Sequence, residues 1–117
     1  MRVVYRELPI LGPDSVIAAR LSLEASKAGR FARFHDTLWE AGRPGPETIA
    51  AASQAAAISP QPTADPLIEA ELKRNFQLAG QLGATGTPLF VVGDRVMNSA
   101  VGYEILKKAI ADARAKS

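Results

Sequence analysis

The chain contains no cysteine. That absence excludes disulfides, cysteine nucleophiles, iron–sulfur clusters and thiolate zinc sites together. Histidine is nearly absent as well. His35 is the only one, so neither a His-rich metal site nor a His pair can be built. Aromatic residues number seven, whereas alanine takes 21 of the 117 positions. A chain of this kind is expected to be rich in helices that pack through small side chains. No stretch approaches the ~20 apolar residues that a membrane-spanning helix needs. Met1-Arg2 ahead of Val3-Val4-Tyr5 starts like a short signal peptide, but Glu7 and Pro9 interrupt the apolar run. No small-residue cleavage site follows, so no export signal is expected within the chain.

What is present describes a folded chain. With 117 residues and 12.4 kDa there is room for one compact domain and a single core. Hydrophobic residues make up 47%, charged residues 22%, and mean hydropathy is zero, which excludes both a disordered chain and a membrane protein. Fourteen Lys and Arg against twelve Asp and Glu leave a charge of +2. The basic residues are scattered, and the adjacent pairs Lys73-Arg74 and Lys107-Lys108 fall on solvated helix faces, so no nucleic-acid partner is expected.

The order of elements follows from periodicity and punctuation. Residues 2–8 concentrate β-branched and aromatic side chains and end at Pro9, which predicts a strand. Asp14 or Ser15 is the expected cap of a first helix carrying Val16, Ile17, Leu21 and Ala25 and ending at Gly29. A second helix, about 30–41, puts Phe31, Phe34 and Leu38 on one face. Gly42-Arg43-Pro44-Gly45-Pro46 breaks the chain before a third, alanine-rich helix at about 47–58. A loop at 59–66 with three prolines leads to Asp65 as N-cap, with Pro66 opening a fourth helix to about 82. Ile68, Leu72, Phe76 and Ala79 form its stripe. Leu89–Val92 and Arg95–Met97 then read as a hairpin turning at Gly93-Asp94. A final helix at about 102–115 is expected to face Ile105, Ala109 and Ile110 inward.

The tract Gly83-Ala84-Thr85-Gly86-Thr87-Pro88-Leu89-Phe90-Val91-Val92-Gly93-Asp94 is the most informative. A proline opening an apolar strand donates no ladder hydrogen bond, so Pro88 belongs at an edge or a special turn. Read locally, it is either an ordinary trans proline starting a strand or a cis residue that leaves the Thr87 backbone open to an extended peptide. The tract, with Leu78–Gly83 before it, resembles the cis-proline segment of DsbA-like thiol:disulfide oxidoreductases. Residues 3–15 resemble that family's second thioredoxin strand and its exit, and residues 29–38 resemble part of its helical insertion. The resemblance covers nearly the whole chain, with these three tracts in the family's order, and it is nearest to the bacterial outer-membrane or periplasmic subgroup.

The resemblance implies an α/β fold: a truncated thioredoxin-like fold with an inserted helical bundle, in the order strand, four helices, β-hairpin, C-terminal helix. It implies one incomplete domain over 1–117, with thioredoxin portions at about 2–9 and 84–115 and the helical insertion at about 14–83. It also implies a protein or peptide substrate held by Thr87 and Pro88, and a periplasmic or extracytoplasmic setting. The family's preceding strand and Cys-x-x-Cys helix have no counterpart here, so the chain as given is expected to be redox-inactive. The lost strand would lie between strand 2–8 and strand 89–93, which predicts either a homodimer through the unpaired strands or a chain that is a piece of a longer protein. The alternative is a non-catalytic binding or assembly module. No cofactor and no metal are expected. His35 beside Asp36 is not expected to form a dyad, since neighbours on a helix point about 100° apart. Trp39 and Phe34 are expected in the core, and Glu24, Glu69 and Glu71 on helix surfaces.

Overall fold

The computed structural model describes residues 1–61 and 63–116. Pro62 of the proline-rich loop and Ser117, at the end of the expected single domain, lie outside them. The chain divides into two compact units, Met1–Phe76 and the residues from Gln77 onward. Its elements are α1 (Pro13–Lys27), α2 (Phe31–Ala41), α3 (Pro46–Ala56), α4 (Pro66–Gln81), β1 (Phe90–Val92), β2 (Arg95–Met97) and α5 (Tyr103–Lys116). Each expected helix and the hairpin is present, with boundaries that agree to within three residues.

The first unit is built on small side chains. Ala18, Leu21 and Ala25 of α1, Phe34 of α2, and Ile49, Ala52 and Ala56 of α3 form one buried cluster. Alanines let the helix axes approach closely, and the fully buried Phe34 ring fills the space left between them. On the other side of α1, Ala19 meets Ile68 and Leu72 of α4. An ion pair secures that contact: Arg20 Nε and Nη2 donate to the two carboxylate oxygens of Glu69 at 2.6 and 3.2 Å.

Helix ends follow local chemistry. Pro13 opens α1, and its N-cap is Gly12, with no side-chain cap. The expected cap at Asp14 or Ser15 is therefore corrected, because proline's fixed φ suits the first helical position and places Asp14 inside the first turn. At α4 the expected cap is present: Leu67 N–H donates to Asp65 Oδ1 at 2.9 Å. The other carboxylate oxygen, Oδ2, accepts from Lys27 of α1.

Residues 2–8 are not a strand. Their pattern favours extended backbone, but a strand exists only through a ladder, and none forms in their unit among the described residues. Side chains hold the segment instead. Buried Asn75 accepts from Arg6 Nε and donates to the Glu7 carbonyl, both at 2.9 Å. Val3, Val4 and Tyr5 stay exposed.

The second unit holds an antiparallel hairpin with the register Phe90↔Met97, Val91↔Val96 and Val92↔Arg95. Gly93 opens its two-residue turn at φ +60°, a value that glycine adopts without strain. A Cβ there would stand 3.1 Å from that of Ala113, so the turn also needs glycine for its approach to α5. Ala109 of α5 is buried, as expected, but Ile105 is exposed, because two strands are too narrow to cover the whole helix face. Ile17 and Phe76 are likewise more exposed than their stripes predict.

Two outcomes follow. Phe34→Ala empties the centre of the first cluster and is expected to cost about 3–5 kcal/mol, read from the urea midpoint by circular dichroism. The second concerns pH. The hydrogen bond from Lys27, then that from Leu67 N–H, hold the Asp65 carboxyl below its ordinary 3.8. A lowered carboxyl contributes stability above its unfolded value and loses it as pH falls through the folded one. Asp65→Asn is therefore expected to flatten the acid limb of the stability profile below about pH 4 while leaving its neutral slope unchanged.

Candidate functional site

The loop between α4 and β1 is shaped from both ends. The last turn of α4 winds down through Leu82 N–H to the Leu78 carbonyl (2.9 Å), Gly83 N–H to Gly80 (3.2 Å) and Ala84 N–H to Ala79 (2.9 Å). Gly83 adopts φ +72°, the usual left-handed exit from a helix. Beyond the hairpin, Asn98 reaches back to the same loop. Its Nδ2 donates to the Gly83 carbonyl at 2.9 Å, and its Oδ1 accepts from Thr85 N–H at 3.2 Å. One amide side chain thus ties the α4 end of the loop, at Gly83 and Thr85, to the residue after β2.

Thr87 and Pro88 sit at the tip, just before β1, and both are exposed. The Thr87–Pro88 peptide bond is cis. Among the described residues, neither the N–H nor the C=O of Thr87 has a hydrogen-bond partner. Next to them the hairpin presents the exposed cross-strand pair Val91 and Val96 on one face, while Phe90 and buried Met97 form the neighbouring pair. Unsatisfied main-chain groups beside an apolar strand pair have the chemistry of a surface that takes an extended peptide.

The hairpin is anchored to α5 by charge. Asp112 accepts from Lys108 Nζ at 2.9 Å and lies 3.7 Å from Arg95 Nη1 of β2. The Lys108 hydrogen bond, with attraction from Lys108 and Arg95 adding to it, holds the Asp112 carboxyl below its usual range.

The remaining candidates lie in the first unit. His35 stacks between aromatic neighbours, with ring centroids 4.9 Å from Tyr5, 5.2 Å from Phe31 and 6.4 Å from Trp39. Positions 31, 35 and 39 repeat every four residues, which lines them along one helix face. Asp36 is exposed and makes no hydrogen bond to His35. Trp39 was expected in the core together with Phe34, but it is 80% exposed. The α2 face that reaches α1 and α3 is the one carrying Phe34 and Leu38, and Trp39 lies off it. Glu69, Glu71 and Glu24 pair with Arg20, Arg74 and Lys27 on helix surfaces. Among the described residues no group of three or more His, Cys, Asp or Glu is placed to hold a metal ion, and no helix is long and apolar enough to cross a membrane.

Sequence reasoning singled out Thr87 and Pro88 but not Asn98. An asparagine following a strand reads as turn chemistry. Its bonds to residues 13 and 15 positions away arise only when the hairpin folds back beside the end of α4.

Comparisons with known proteins agree with this geometry. Residues 2–111 match the DSBA-like thioredoxin domain family. No curated protein matched. Among solved structures, a periplasmic thioredoxin-like protein from Salmonella enterica serovar Typhimurium is 30% identical, with a TM-score of 0.82 over 94% of this chain and 64% of its own. A thioredoxin-like oxidoreductase from Silicibacter pomeroyi DSS-3 is 32% identical, with a TM-score of 0.84 over 96% of this chain and 68% of its own. The catalytic domain of Proteus mirabilis ScsC is 26% identical, with a TM-score of 0.81 over 94% and 64%. The chain thus spans about two thirds of the length of these three structures.

Removing the Asn98 clamp provides a check. Asn98→Ala deletes a hydrogen bond worth about 1 kcal/mol at Thr85, so the Thr85 amide is expected to exchange about fivefold faster. Hydrogen exchange by NMR reads this directly, and the amides of α1–α3 should not change.

Proposed function

We propose, for a chain that belongs to the DSBA-like thioredoxin domain family, that it forms the peptide-holding part of a DsbA-like thiol:disulfide oxidoreductase. In this reading Thr87 and Pro88 are the substrate-binding residues. Residues 2–9 and 84–115 form the thioredoxin portion, and 14–83 form the helical insertion of one incomplete domain. The observation that carries the proposal is the open Thr87 backbone at the tip of an exposed loop that Asn98 fixes in place. An extended substrate segment adds there as a strand, pairing main chain to main chain. Pro88 lacks an N–H, so no donor of the loop itself competes at that position.

Thiol–disulfide exchange passes a sulfur–sulfur bond from one pair of cysteines to another. This chain has no thiol to offer, because its only sulfur-bearing residues are two methionines, whose thioethers do not exchange. Alone it is redox-inactive, and any oxidoreductase activity uses cysteines from outside these 117 residues. An extracytoplasmic site of action belongs to the same proposal. It is supported by the Salmonella neighbour, which is a periplasmic protein.

A second reading, a non-catalytic binding or assembly module, is favoured by one observation. The unpaired segment 2–8 exposes Val3, Val4 and Tyr5 to about 60% each (60%, 62% and 61%). Exposed apolar residues on unpaired backbone favour association between copies. In this reading the chain is a homodimer, with twice the 12.4 kDa mass of one chain by light scattering. A concentration-independent mass of 12.4 kDa would remove it.

Calorimetry with an extended peptide tests the primary reading. Pro88→Ala frees φ and adds a competing N–H, and is expected to weaken binding about tenfold or more, as expected for a misplaced main-chain pair. Unchanged affinity would contradict a role for the loop. In an insulin-reduction assay the wild-type chain is expected to match buffer alone.

A further inference from the structure

The first unit contains a cleft of about 120 Å³. None of its lining residues belongs to the Thr87–Pro88 loop, and its chemistry is unlike that of the loop. Ala18, Phe34 and Leu38 supply apolar walls, while Glu7, Ser15, Ser22 and His35 bring polar atoms to it. Glu7 is held in place: buried Ser22 donates its Oγ hydrogen to Glu7 Oε1 at 2.6 Å.

Glu7 is exceptional among the acids of this chain. Seven carboxylates are partly buried, and five of them, Glu24, Asp65, Glu69, Glu71 and Asp112, lie in ion pairs. Asp14 lies in the first turn of α1, where the helix dipole favours negative charge. Glu7 alone has neither a basic partner nor a helix N-terminus among the described residues. A partly desolvated carboxylate without a counter-charge is costly, and a cation in the cleft removes that cost.

We propose that this cleft binds a primary ammonium group carried on a short aliphatic stem, with Glu7 as counter-charge. The free Oε2 and the Ser15 hydroxyl accept from the ammonium, and the stem lies against Ala18, Phe34 and Leu38. A guanidinium fits less well. It binds a carboxylate best through two oxygens side by side, and Ser22 already occupies Oε1, whereas an ammonium acts as a compact point charge. The volume agrees, since 120 Å³ takes about four non-hydrogen atoms at the ~30 Å³ that a water occupies, the ammonium nitrogen and the three nearest carbons of such a stem. A free alkylamine and the lysine side chain of another protein share this chemistry.

The test uses the whole chain, titrated with n-butylammonium chloride and followed by ¹H–¹⁵N NMR. The expected result is saturable shifts at Glu7, Ser15, Ser22 and His35, with a dissociation constant on the order of millimolar. n-Butanol and n-butylguanidinium should bind about tenfold more weakly. Glu7→Gln keeps an acceptor for Ser22 but removes the charge, and should weaken n-butylammonium by a similar factor. Ser15→Leu, at a half-buried position on the cleft, should block it while leaving the shifts of α3 and of α2 outside the cleft in place. Capped lysine, Nα-acetyl-lysine methylamide, distinguishes the sources. Binding at least as tight as n-butylammonium assigns the cleft to protein lysines, and weaker binding assigns it to free amines. Equal shifts from n-butanol and n-butylammonium, or undiminished affinity in Glu7→Gln, would overturn the proposal. The outcome does not depend on whether the Thr87–Pro88 loop binds peptides.

Discussion

Every backbone N–H and C=O must find a partner or remain in water, and this demand governs the whole molecule. Helices meet it internally, which is why an alanine-rich chain with few aromatics can fold around one ring, Phe34, and a set of methyl groups. Strands cannot meet it alone. Among the described residues there is one ladder of three residue pairs, and extended backbone outside that ladder leaves its polar groups to side chains or to solvent. Segment 2–8 is tied down by Asn75. The loop before β1 is tied by Asn98. Beyond the reach of Asn98, Thr87 is left open, and that opening is the candidate site.

The two asparagines do similar work. A side-chain amide carries both a donor and an acceptor, so one residue can substitute for a short piece of missing ladder. Asn75 is buried and spends both groups on Arg6 and Glu7. Asn98 is exposed and spends both on Gly83 and Thr85. Neither contact is local in sequence: Asn75 holds segment 2–8 through Arg6 and Glu7, and Asn98 holds the exit of α4 at Gly83 and Thr85.

How much of this was legible follows from the same constraint. Helices and the hairpin turn are set by contacts within a few residues, so Pro66 after Asp65, Gly83 after α4 and Gly93 at the turn marked their elements correctly. The strand expected at 2–8 failed because a ladder depends on a partner that local sequence does not specify. Ile105 failed for a related reason: helical spacing reveals a stripe, but not how wide the surface covering it will be; Trp39 failed because it lies off the α2 face that carries Phe34 and Leu38. Of the site, Thr87 and Pro88 were legible from proline and glycine chemistry together with a family resemblance. Asn98 was not, because its role exists only across 13 and 15 residues of sequence. Glu7 was also hidden, since an unpaired acid is recognised only once the pairs of all the others are known.

On the proposed reading the Thr87 main chain, with both its N–H and its C=O open, pairs with an extended peptide. The most direct measurement is the Thr87 amide resonance during titration with such a peptide. The account predicts a downfield shift and slowed hydrogen exchange at Thr87, saturating together with binding. Binding that leaves the Thr87 amide unshifted and unprotected while other residues respond would contradict it.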